Sequence, residues 1–189
     1  MRPLVFLALI TVISTHTGAT QQSQGLSPEQ QARIDEIVNH PFVDIVGQQA
    51  RNFALQTLDG KTIQLDQFRG KPLLLSFFKT TDCPPCVDQL DVLTKISKQY
   101  GKSRLSVLAL VHQRADSGSS REDIEKLLKA EGVPYPAAYA TEDMVEAYGK
   151  SKIVPYNVYI TRSGKILYQE RTHDLATMDR EIEQLLMAK

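Results

Sequence analysis

The sequence predicts an α/β fold, with a central mixed β-sheet flanked by helices. Three observations carry this. Leu73-Leu74-Leu75-Ser76-Phe77-Phe78 and residues 105–111 are nearly unbroken apolar runs, the pattern of strands covered on both faces. Between them Val87, Leu90, Leu93, Ile96 and Tyr100 recur at helical period, and Gly101 closes the pattern. Further strand and helix patterns then follow one another to the C-terminus.

The chain has 189 residues, 42% of them hydrophobic, which suits one core-bearing domain plus extensions. Its 22 basic and 22 acidic residues balance, so no electrostatic attraction to nucleic acid or to an anionic membrane is expected. Residues 1–19 read as a secretory signal peptide. Arg2 supplies the positive end, residues 4–13 an apolar run, and Thr17-Gly18-Ala19 fits a small-x-small cleavage site. The run is short for a membrane span, and an uncleaved anchor is the alternative. Either reading places the mature domain outside the cytoplasm, in the periplasm or an equivalent compartment.

Residues 20–44 form an extension. Within it Ser27-Pro28-Glu29-Gln30 starts a short helix that runs to about Asn39, with Ser as N-cap and Pro at the first position. The domain occupies 45–189. Residues 53–58 and 61–65 flank Asp59-Gly60 and predict a β-hairpin. Residues 66–69 turn, and Gly70-Lys71-Pro72 leads into the strand at Leu73. After the strand at 105–111, Ser120 caps a helix carrying Ile124, Leu127 and Leu128, which Gly132 stops. Pro134 and Pro136 predict an extended link. Thr141 caps a short helix that ends at Gly149. Residues 153–160 and 166–168 form a second hairpin around Arg162-Ser163-Gly164-Lys165. Asp174 caps a last helix, with Leu175, Met178, Ile182, Leu185 and Leu186 on its apolar face.

The chemistry centres on Cys83-Pro84-Pro85-Cys86, which holds the only two cysteines. A C-x-x-C is a redox dithiol, half of a metal site, or a structural staple. The staple is the weakest of these, because so small a loop restricts the unfolded chain little. Strand before and helix after favour the redox reading and put Cys83 at a helix N-terminus. There the macrodipole stabilises a thiolate. The prolines cost little, since first-turn N–H groups have no intrahelical partner.

From about Gly47 to Leu186 the chain resembles the exported, TlpA/ResA-like branch of the thioredoxin superfamily. The matching residues are Asn52-Phe53, Leu58-Asp59-Gly60-Lys61, Phe68-Arg69-Gly70-Lys71-Pro72, the strand and Cys83-Pro84-Pro85-Cys86. They continue with Gly132-Val133-Pro134-Tyr135-Pro136, Ala147-Tyr148-Gly149, Val154-Pro155 and Ser163-Gly164-Lys165. The resemblance implies a thioredoxin-like fold with an N-terminal hairpin and an inserted helix. It implies thiol–disulfide exchange in which Cys83 reacts with the partner and Cys86 resolves, with no cofactor or metal. It also implies a cis bond before Pro155, with the Val154-Pro155 backbone receiving the substrate chain. Implied partners are exported cysteine-containing proteins, such as those of cytochrome c or copper-site maturation, and a membrane protein that resets the dithiol.

The chain departs from the family pattern at three places. The residue before the first cysteine is commonly Trp and here is Asp82, whose carboxylate disfavours a Cys83 thiolate. The buried acid of thioredoxins, six residues before the first cysteine, is replaced by Phe77. The acid common in the TlpA/ResA branch, three residues after the second, is replaced by Gln89. Asp88, Asp91 and Glu142 are the remaining candidates for a proton acceptor, although solvated surface charge is their simpler reading. Two rival functions stay open. A Cu(I)-binding module would use both cysteines with His112 or His173. A peroxiredoxin-like peroxidase would use Thr80, three residues before Cys83, but has Ser76 where its motif expects proline.

Overall fold

The computed structural model describes residues 27–28, 45–80, 83–112, 119–149, 153–171 and 174–188. The chain divides into two compact units, Met1–Glu36 and Ile37–Lys189. In the first, only Ser27 and Pro28 are described, Pro28 in helical conformation. The expected signal peptide, the rest of the 27–39 helix, Asp82 and His173 lie outside the described residues.

The second unit carries the expected hairpin, with shorter strands. β1 (Ala54–Gln56) runs antiparallel to β2 (Thr62–Gln64), and buried Leu55 faces buried Ile63. Gly60 takes a φ of 84° in the turn, a conformation open to glycine at little cost. The Leu58 N–H donates to the Ala137 carbonyl at 2.8 Å and ties the hairpin to the main sheet.

That sheet has the order β5-β4-β3-β6-β7. β3 (Leu73–Phe78) lies in the middle, parallel to β4 (Ser106–Val111) and antiparallel to β6 (Tyr156–Ile160). Every residue of β3 is buried, which is why its sequence is apolar without alternation. β7 (Ile166–Glu170) closes one edge. β5 (Ala137–Tyr139) closes the other, where the sequence suggested only an extended link. Two alanines in three residues leave no strand pattern to read. The strand forms because β4 offers a parallel partner, Ala109 opposite Ala137.

The helices cover both faces. α1 (Pro84–Arg104) buries Leu90, Leu93 and Ile96 completely, each gaining about 1.5–3 kcal/mol from burial. Its regular part stops at Gly101, whose φ is 65°, as the sequence expects. α2 (Arg121–Ala130) begins with a reciprocal cap between Ser120 and Asp123. α3 (Glu142–Tyr148) is capped by Thr141, and α4 (Leu175–Met187) by Asp174. One core packs Leu74, Phe78 and Tyr159 under α1, α2 and α4. The other packs Leu75, Phe77, Tyr156 and Val158 under α3 and the hairpin. Leu175, expected on the buried face of the last helix, is exposed, because it is the first residue of α4.

Candidate active site

The parallel β3–α1 connection delivers the cysteines to the C-terminal end of the sheet, where α/β folds place their chemistry. Cys83 is the N-cap of α1, and Pro84 and Pro85 open the helix. The Cys83 carbonyl accepts from the Cys86 N–H at 2.9 Å and the Val87 N–H at 3.3 Å. Cys83 and Cys86 are joined in a disulfide, with S–S 2.02 Å and Cα–Cα 5.2 Å. Cys83 keeps 8% of its surface, whereas Cys86 keeps none. The Lys79 N–H points at the Cys86 Sγ from 3.5 Å.

Val154 and Pro155 meet the dithiol from the other side. The register of β6 sets Tyr156 opposite Phe77, so the residues just before β6 reach the point where β3 ends. The Val154–Pro155 bond is cis, and the Val154 carbonyl oxygen lies 3.9 Å from the Cys83 Sγ. Behind this loop the Tyr156 ring stacks on Phe77, with centroids 4.4 Å apart and planes at 10°. The four sequence-derived site residues therefore form one constellation.

A polar layer lies within the α1–α4 core. Ser76 and Asn157 are cross-strand partners, and Gln89 reaches them from α1. All three are fully buried. Asn157 stands opposite Glu170 on β7. The Tyr159 hydroxyl donates to Glu170 Oε1 at 2.6 Å. Burial, with the nearby Glu181 carboxylate, pushes the Glu170 carboxyl up to about 8. Sequence reasoning noticed Gln89 only as a missing acid and did not single out Asn157 or Glu170. The readable signal was a polar residue interrupting each of two otherwise apolar strands.

The other candidates have different surroundings. Asp88, Asp91 and Glu142 are exposed, and Asp91 pairs with Lys95 at 2.7 Å. The Thr80 hydroxyl donates to Ser119. His112 is buried, with its ring edge-on to Tyr156 at 6.5 Å. Among the described residues no group of three His, Cys, Asp or Glu side chains is placed to hold a metal ion.

Residues 45–186 match the Redoxin family model. The chain belongs to the Redoxin family. It is 23% identical over 181 residues to the thiol-disulfide oxidoreductase ResA of Halalkalibacterium halodurans, covering 95% of this chain and 90% of that protein. It is 29% identical over 122 residues to the protein of the same name from Geobacillus thermodenitrificans, covering 64% of this chain and 66% of that one. A crystal structure of a thiol:disulfide interchange protein of the thioredoxin family from Chlorobium tepidum superposes with a TM-score of 0.63. Its identity is 22%, and it covers 76% of this chain and 99% of that one. The Redoxin chain thus has the thioredoxin-like fold and the C-x-x-C pair of a thiol–disulfide oxidoreductase.

Proposed function

We propose that this Redoxin protein is an extracytoplasmic thiol–disulfide oxidoreductase that reduces disulfides in exported cysteine-containing proteins. The Cys83 thiolate attacks a partner disulfide. One partner sulfur leaves and takes up a proton, and a mixed disulfide joins Cys83 to the other. Cys86 gives up its proton and attacks the Cys83 sulfur, which closes the intramolecular disulfide and releases the second partner thiol. Two electrons pass to the partner, and a membrane redox protein returns them. The Val154 carbonyl, beside the Cys83 sulfur, and Pro155 receive the partner's backbone. Residues 1–19 act as the signal peptide and 20–44 as an extension ahead of the domain. The resemblance to the TlpA/ResA-like branch supports partners in cytochrome c or copper-site maturation.

The observation that carries the reductive direction is the pair of prolines at the first two helical positions. A thiolate at the N-cap draws on the helix dipole and on the first backbone N–H groups. Pro84 and Pro85 have none to give. A dithiol becomes an oxidant when its reduced form is stabilised, so losing two donors keeps the potential low. Equilibration of the mature protein with glutathione, read on a thiol-trapping gel, tests this. A value near about −270 mV supports a reductant, and one near about −120 mV makes the protein an oxidant or isomerase. If no disulfide forms at any poise, the exchange mechanism is wrong.

A further inference from the structure

Gln89 Oε1 is fully buried and accepts no hydrogen bond in the disulfide form. The other end of the same amide is ringed by acceptors. Nε2 lies 2.8 Å from Asn157 Oδ1, 3.4 Å from Ser76 Oγ and 3.8 Å from Met178 Sδ. A thioether can only accept, so this ring identifies the nitrogen end and leaves Oε1 on the opposite side. Gln89 follows Cys86 by three positions on α1. Helical side chains three apart are neighbours, and each leans back over the preceding turn. The residue under Gln89 in that turn is Cys86, which is also fully buried. A cysteine in a disulfide has no hydrogen to donate, whereas a thiol has one.

We propose that Gln89 is a positioning residue of the dithiol: its Oε1 accepts the Cys86 S–H when the pair is reduced and loses that donor when the disulfide closes. In the glutathione reaction, two glutathione thiols supply two electrons and two protons. The Cys83–Cys86 bond breaks to two thiols, and glutathione disulfide forms. The unmet buried acceptor is then a cost of the oxidised state alone, and it tilts the equilibrium toward the dithiol. Its sense is opposite to that of Pro84 and Pro85. The hydrogen bond also favours the neutral thiol and so keeps the proton on Cys86 until exchange begins.

This rests on the dithiol chemistry of the family and not on the direction of electron flow. The potential of the native protein tests the direction, whereas the difference between native protein and variant tests Gln89. In full-length Gln89→Leu, Asn157 loses its donor in both redox states, so that loss cancels. The equilibrium with glutathione should move toward the disulfide by about tenfold, which is a potential about 30 mV more negative. A change below about threefold, or of opposite sign, overturns the proposal, since Oε1 is then satisfied in both states. A second readout needs no change at Gln89. In Cys83→Ser protein the single S–H stretching band should sit below that of a free aliphatic thiol in the infrared. An unshifted band overturns the proposal.

Discussion

The Cys83 sulfur and the Val154 carbonyl oxygen lie 3.9 Å apart, although 71 positions separate them in the chain. A backbone acceptor thus stands beside the sulfur of the one cysteine of the pair that keeps any exposure, while Cys86 is closed in. In the reduced protein, iodoacetamide should modify Cys83 about tenfold faster than Cys86, because the reagent reaches the exposed thiol and not the buried one. A Cys86→Ser variant should accumulate a mixed disulfide with glutathione at Cys83, and Cys83→Ser should not. Intact mass after acid quenching checks both.

Tyr156 directly follows the Val154–Pro155 bond, and its ring stacks on Phe77. Gly149, at the end of α3, lies against that ring, and a Cβ there would sit 3.0 Å from Tyr156 Cε2. Tyr156 is fully buried against Phe77 and has little room to yield. Gly149→Ala should therefore cost about 1–3 kcal/mol by overpacking. Urea denaturation measures this, and a neutral result would show that the ring moves freely.

Leu93 tests the α1 core from the opposite direction. It is fully buried among Leu74, Leu90 and Ile96 in one apolar cluster. Leu93→Ala removes apolar contact and leaves a cavity, so unfolding free energy should fall by about 2–5 kcal/mol. The glutathione equilibrium of the variant should stay near the native value if it folds.

Glu170 predicts a pH dependence of stability. Its carboxyl is raised from the ordinary 4.5 to about 8, chiefly by burial and next by Glu181. Tyr159 opposes the shift by donating to it. The folded protein therefore holds a proton that the unfolded chain has released between these values. This contribution is fully present below pH 4.5 and is lost as pH rises through about 8. The urea midpoint should fall over that interval, and Glu170→Gln should flatten the fall. An unchanged slope in the variant would assign the pH dependence to other groups.

Both cysteines, the β3 boundaries, the caps at Ser120, Thr141 and Asp174, and the stop at Gly101 were legible in the sequence. Each is a local rule. A buried strand shows as an apolar run, a cap as a short polar residue before a helical pattern, and a helix end as a glycine. β5 was not legible, because Ala137 and Ala138 become strand only through the neighbouring β4.

Local patterning thus sufficed for the α/β class, the C-x-x-C at a helix start and its redox chemistry, because these depend on residues close together in the chain. What lies around the sulfurs was settled by the tertiary structure. The approach of Val154 to Cys83 and the layer of Ser76, Asn157 and Glu170 come from β6 and β7 pairing alongside β3, and Gln89 joins that layer from α1. Sheet register is a long-range property: it brings together groups dozens of residues apart, and their burial, hydrogen bonds and protonation follow from that meeting.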